Sequence, residues 1–536
     1  MSKEWTPKEL LYALVGIQSD TFTEMELGIS KWVYETIAEQ DYWKEHPELC
    51  GLYDGHDVIG RMIPWGLRRG TSSRTIVLAG HTDCVEIDCY GTLKPYALDP
   101  PRLKEELKKM DVKPNVRAAL EDPDWEFGRG MSDMKGGDAV ILYKLFEAAR
   151  EEKYPELNIL YMGIPDEEHE AQGIMQASGL MRQLKEQYGL DYKLLVDPEP
   201  TAGGKDKYVY VDGSAGKMLP GIVCKGKAAH VGNIMTGLNS TLIAANVARR
   251  IDLNVDFCNE EYGRITTPPT ILYYKDSKKE YQVSVPEYTE IYAHFPMTKA
   301  VNVMEMTEKI RGICREAADE TLAVYNKAYE FINGTQEGNP NYTIQVMTYA
   351  ELEEVCRKAD PDYEEKKAAL MADVTAKVSS GEELIQIGGG FKIIEKAIEW
   401  SKLTDPVIII GLLPPYVPAV NNHTHDCDRE KWIDGVAGML QEKYGIPMEI
   451  DPYYMGMSDN SYISCTNIES DVEAMRNMVT PTTLYRIPFD DIAEITVPAI
   501  IAGPAGYDYH EYTERVYMPD VEKRCPDIIE TLFSLI

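Results

Sequence analysis

Thr75-Ile-Val-Leu-Ala-Gly-His81-Thr-Asp83 decides the fold. A short apolar run stopped by a histidine and an aspartate predicts a buried strand with polar groups at its carboxyl end. The same design recurs twice downstream. Leu157–Ile164 runs into Pro165-Asp-Glu167-Glu168, and Tyr192–Val196 runs into Asp197-Pro-Glu199-Pro. Helical patterns separate these runs, over Met134–Glu151 and Gly173–Tyr188. Strands alternating with helices predict a mostly parallel sheet inside an α/β/α sandwich. In such sheets chemistry collects beyond the carboxyl ends of the strands.

The alternation is preceded by one or two amphipathic helices over 7–40 and a strand over Val58–Ile63. From about 214 the texture changes to β-α-β-β-α-β: Met218–Cys224, Ser240–Leu253, Thr270–Tyr274, Thr289–His294, Thr307–Ile332 and Tyr342–Thr348. That order predicts an inserted α+β, ferredoxin-like domain. The expected organisation is therefore a catalytic domain over 1–213, the insertion over 214–348, and the catalytic domain resumed over 349–536. The charged helical stretch 349–402 is expected to return the chain to the main sheet, with Val407–Leu412 its next strand.

With 536 residues the chain is too long for one ordinary core. Lys+Arg 55 against Asp+Glu 88 gives a net charge of −33, which argues against nucleic-acid and membrane-surface partners. The 10 cysteines form no Cys-x-x-Cys pair and read as reduced thiols. The N-terminus lacks a secretion pattern and no apolar stretch approaches a membrane span, so the expected location is cytoplasmic.

Four strings carry candidate ligands, and each has an ordinary alternative. His81-x-Asp83 pairs an imidazole with a carboxylate able to fix its second nitrogen; a polar turn is the plain reading. Asp133 lies among Gly128, Gly130, Gly136 and Gly137, where one carboxylate could bridge two cations or simply cap a helix. Glu167 and Glu168 are adjacent anions, suited either to one metal ligand beside one proton carrier or to a solvated acidic loop. Asp197-Pro-Glu199-Pro holds a carboxylate between prolines. His510, after Ile-Ile-Ala-Gly-Pro-Ala-Gly, supplies a second imidazole at a strand end. Together the ordered set is the donor inventory of a two-metal hydrolase.

These strings resemble the M20 metallopeptidase family, the di-zinc aminoacylase, carboxypeptidase and deacylase group. The resemblance rests on Gly-His81-Thr-Asp83, Trp125-x-Phe-Gly-Arg-Gly-x-x-Asp133-Met-Lys-Gly, Pro-Asp-Glu167-Glu168, Glu199-Pro-Thr, Gly-Lys-Ala-Ala-His230, Gly456-Met-Ser-Asp459 and His510-x-x-x-Glu514. Length and long central segments are similar to its arginine-utilisation (RocB-type) branch. The resemblance implies one metal on His81, Asp133 and Glu199, and a second on Asp133, Glu168 and His510. It implies zinc, with manganese or cobalt as alternatives for an oxygen-rich site. Glu167 would be the general base, Asp83 would buttress His81, and a cis peptide would follow Asp133. The insertion would be a lid and dimerisation domain, its His230 steadying the oxyanion across a homodimer interface. Ser458 and Asp459 would touch substrate.

One departure matters. Many family lids carry Asp-x-Arg where this chain reads Ile291-Tyr-Ala-His294-Phe-Pro, so the arginine that clamps a substrate carboxylate does not carry over. Segments 84–124 and 349–402 also add length. His423-Thr-His425 is a polar loop with metal-binding spacing, read as cleft lining or surface. Gly456-Met-Ser458 lacks the second glycine of a nucleophile elbow, and Gly388-Gly-Gly390 lacks the Lys of a phosphate loop. The expected activity is metal-dependent cleavage of an amide bond in a small peptide or N-acyl amino acid. The rival is a non-catalytic metal-binding or scaffold protein of the same fold.

Overall fold

A computed structural model describes residues 2–57, 59–299, 301–339, 342–456, 458–465 and 467–536. The chain forms two compact units, one from Met1–Ala215, Ala419–Thr466 and Ile487–Ile536, the other from Gly216–Pro418 and Asn467–Arg486. Among the described residues no helix is long and apolar enough to cross a membrane.

In the first unit, an eight-stranded sheet runs in the order Cys50–Tyr53, Ile63–Arg68, Asn158–Ile164, Arg74–His81, Asp191–Asp197, Ala499–Ile501, Tyr208–Val211, Met448–Asp451. Its centre is parallel, from Asn158–Ile164 across Arg74–His81 and Asp191–Asp197 to Ala499–Ile501. The Ile63–Arg68 side and the Tyr208–Val211 junction are antiparallel, so the sheet is mixed around a parallel core. Every residue of Asn158–Ile164 is buried, so helices cover both faces, and the continuous apolar run follows from that. The strand expected over 58–63 begins at Val58, which lies outside the described residues; the observed strand is Ile63–Arg68. Asp57 explains the shift. Its carboxylate accepts the Ile59 and Arg61 amides at 2.9 and 3.1 Å and turns the chain before it can extend.

The 84–124 segment is helical, with Pro100–Leu107 and Pro114–Glu121 closing a small core around Tyr90, Leu103, Leu120 and Phe127.

The second unit contains the expected β-α-β-β-α-β order, but its sheet has five strands: Thr270–Asp276, Tyr288–Met297, Gly216–Lys225, Val407–Val417, Gln345–Thr348. The boundary expected at 348 is therefore too early. Val407–Val417, expected in the main sheet, inserts between Gly216–Lys225 and Gln345–Thr348. All of its residues are buried. The intervening helices Tyr349–Ala359, Tyr363–Ser379 and Gly390–Trp400 close over it through a core including Leu352, Tyr363, Phe391 and Ile409. Segment 349–402 thus completes the second unit's core.

Candidate metal centre

Three adjoining strands deliver the first donors. His81 ends the central strand and pairs in register with Ile164, so Glu167 and Glu168 leave the neighbouring strand beside it. Glu199 leaves the strand on the other side, two residues beyond Asp197. Asp133 arrives from the turn before helix Lys135–Arg150. A side chain at Gly137 would meet the Pro198 carbonyl at 2.1 Å, so only glycine lets that helix settle against the Glu199 segment. The Asp133–Met134 peptide is cis. His510 comes from the loop between Gly506–Tyr507 and Arg515–Tyr517.

Among the described residues, two groups are close enough to hold a cation: His81, Asp133 and Glu199; and Asp133, Glu168 and His510. His81 Nε2 lies 3.1 Å from Asp133 Oδ1 and 3.4 Å from Glu199 Oε1. His510 Nε2 lies 3.3 Å from Asp133 Oδ2 and 3.1 Å from Glu168 Oε2. Donors bound near 2.0 Å around a tetrahedral ion stand roughly 3.3 Å apart, and the histidine-to-carboxylate distances of both groups match that spacing. The donor chemistry, one imidazole and two carboxylates per group, fits zinc, manganese or cobalt.

The electrostatics ask for positive charge. Burial opposes ionisation of Asp133, yet His510 and His81 hold its carboxyl well below the usual range. Hydrogen bonds to Asp133 and Glu168 push His510 up to about 10. Burial pushes Glu199 up to about 8. Glu167 is also driven well above the carboxylate range, first by burial and then by Glu199, Glu168 and Asp459. Its Oε2 stands 4.0 Å from His81 Nε2, and its buried Oε1 has no hydrogen-bond partner among the described residues.

Asp83 sits as expected beside His81 and makes further contacts. The His81 Nδ1 contact at 3.1 Å is to the Asp83 backbone carbonyl, while the carboxylate stands 3.6 Å away. That carboxylate accepts the backbone amides of Glu167 and Glu168, each at 3.2 Å. It therefore sets the turn that aims both glutamates.

Ser458 and Asp459 lie beneath the surface at 1% and 0% exposure. The Ser458 hydroxyl accepts the Asn460 amide at 3.3 Å. His230 belongs to the second unit, exposed, and its Nδ1 accepts the Gly232 amide at 3.1 Å, which leaves Nε2 to carry the proton. His423 Nδ1 contacts Asn421 Oδ1 and His425 Nε2 contacts Ser464 Oγ, each at 2.7 Å; neither histidine belongs to a donor group.

Sequence reasoning missed a buried cage behind Glu167. Arg61 bonds Glu26 at 3.1 Å, Asp57 at 2.7 Å, and Asp166. Glu26 also accepts the Asp166 amide at 2.9 Å, and Asp166 holds a left-handed φ of 65°. The cage thus fixes the residue before Glu167. Replacing Arg61 with alanine leaves three carboxylates without their cation and is expected to destabilise the fold by about 3–5 kcal/mol. Denaturant unfolding measures this; a loss below 1 kcal/mol would remove the cage from the account.

A family model described as peptidase family M20/M25/M40 matches residues 77–524. The chain is similar to the uncharacterized protein YqjN of Bacillus subtilis, 28% identical over 99% of this chain and 97% of that one. It is also similar to protein RocB of Bacillus subtilis, 26% identical over 95% and 91% of the respective chains. Among solved structures, a tripeptidase from Staphylococcus aureus shares the fold at a TM-score of 0.54 and 14% identity, covering 100% of this chain and 99% of that one.

Proposed function

The chain belongs to peptidase family M20/M25/M40, a family of metal-dependent hydrolases, and from that premise we propose that it cleaves an amide bond in a small peptide or N-acyl amino acid. An arginine-derived intermediate is a further candidate substrate, on the resemblance to the arginine-utilisation branch; the chain is similar to protein RocB over 95% of its length. The observation that carries the reading is the pair of donor groups sharing Asp133, with Glu167 beside them and one of its oxygens uncommitted.

His81, Asp133 and Glu199 would hold one cation, and Asp133, Glu168 and His510 the other, zinc first with manganese or cobalt as alternatives. Bound there, the ions would acidify a water and polarise the scissile carbonyl. Glu167 takes the proton of the attacking water as its oxygen joins the carbonyl carbon. It returns that proton to the nitrogen as the carbon–nitrogen bond breaks. Asp83 keeps Glu167 and Glu168 aimed through their amides. His230, with its proton on Nε2, would donate to the developing oxyanion, supplied by the second unit of a homodimer partner. Ser458 and Asp459 would shape the substrate floor.

Metal content combined with hydrolysis of a dipeptide and N-acyl amino acid panel tests this reading. Two cations per chain and turnover of at least one class are expected. Metal without turnover of any amide would favour a non-catalytic metal-binding protein of this fold.

Cation binding should also expel protons. With His510 pushed up to about 10 and Glu199 to about 8, both groups are mostly protonated in the metal-free chain at pH 7. Each must lose its proton to act as a donor, so affinity rises with pH across this range. Calorimetry in buffers of differing ionisation enthalpy reads the release. A proton count of zero at pH 7 would contradict it.

A further inference from the structure

We propose that Arg129 and Glu514 form a latch that positions the second cation's donors, Asp133 and His510; this rests on the metal reading given above. The two donors lie far apart in sequence, yet their loops spring from one small sheet. That sheet runs Gly506–Tyr507, Arg515–Tyr517, Trp125–Phe127, with Arg515 opposite Phe127. One residue further on, the Gly128 amide donates to the Glu514 carbonyl at 3.1 Å, and there the two loops part.

Side chains then reconnect them. Glu514 Oε1 accepts the Ser132 and Asp133 amides, each at 3.2 Å, and so holds the bridging aspartate's backbone. Glu514 Oε2 accepts from Arg129 Nη1. Arg129 NH2 donates to the His510 carbonyl at 3.1 Å. The guanidinium lies 5.3 Å from the Tyr90 ring centre. Arg129 and Glu514 are 2% and 0% exposed, so solvent does not loosen the pair.

His510 needs such a hold. Its φ of 62° is a left-handed conformation that a non-glycine residue keeps only when its surroundings enforce it. Neither latch residue belongs to a donor group, so both act as positioning residues. The other cation shares Asp133 but takes its remaining donors from elsewhere. His81 ends a strand of the main sheet and Glu199 follows one, and neither bonds the latch. Loosening the latch therefore weakens one cation position more than the other.

Co2+ titration of the metal-stripped full chain by calorimetry, with metal content after desalting, tests this. Arg129→Lys keeps the charge but cannot reach both partners with a planar fork. Glu514→Gln keeps the shape and an acceptor but removes the charge. Wild type is expected to bind two Co2+. Arg129→Lys should weaken one ion about 10- to 100-fold and the other, which shares only Asp133 with the latch, by clearly less; Glu514→Gln should shift the same ion in the same direction. Two ions at unchanged affinity in both variants, or equal weakening of both ions, would overturn the latch and leave the metal reading standing. A wild-type chain that binds no Co2+ would remove the metal reading and the latch with it.

Discussion

Replacing Glu167 with alanine is expected to leave two cations per chain and to lower kcat on the order of 10²–10⁴-fold, the usual contribution of a positioned proton carrier. The reasoning is geometric. Glu167 is 5% exposed, adjoins the first donor group at 4.0 Å from His81, and has an oxygen with no partner among the described residues. Its absence from both donor groups is what separates its role from that of Glu168. Removing it should thus spare the metals. Atomic spectroscopy for metal and steady-state kinetics for turnover decide the matter together. A variant that turns over at the wild-type rate with both ions bound ends the assignment, and so does a variant that loses its metal.

Replacing Asp133 is expected to do more. Its two oxygens face different imidazoles, Oδ1 toward His81 at 3.1 Å and Oδ2 toward His510 at 3.3 Å. Among the described residues no other belongs to both donor groups. Asp133→Ala should therefore drop metal content from two to none and turnover to the background rate, with the fold intact by circular dichroism. Asp133→Asn, which keeps the shape but not the charge, should behave the same way. Retention of two ions by either variant would show that the carboxylate is not shared.

The gathering of these side chains was legible because parallel sheets obey a simple geometry. Once Thr75–Gly80, Leu157–Ile164 and Tyr192–Val196 are read as strands of one sheet, His81, Glu168 and Glu199 must gather at one end. The structure places those strands side by side. His510 follows the apolar strand Ala499–Ile501 in sequence, but it is delivered from a loop of the smaller sheet beyond Gly506–Tyr507, so strand-end geometry alone does not place it.

Other features depend on partners the sequence does not pair. Val407–Val417 is apolar throughout, and such a run suits either sheet; only its register against Gly216–Lys225 assigns it. Arg61 meets Glu26 and Asp166, which stand 35 and 105 residues away, so no local spacing announces the cage. The carboxylate of Asp83 was expected beside the imidazole and stands 3.6 Å from it, but its bonds to amides 84 and 85 residues away had no local signal. Arg129 and Glu514 were visible as motif letters, but their joint hold on two loops exists only in three dimensions.

Anomalous diffraction from crystals of the zinc-loaded chain tests the central claim most directly. The account predicts two peaks roughly 3.5–4 Å apart, each within bonding distance of one Asp133 oxygen. A single peak, or two peaks of which one does not touch Asp133, would contradict it.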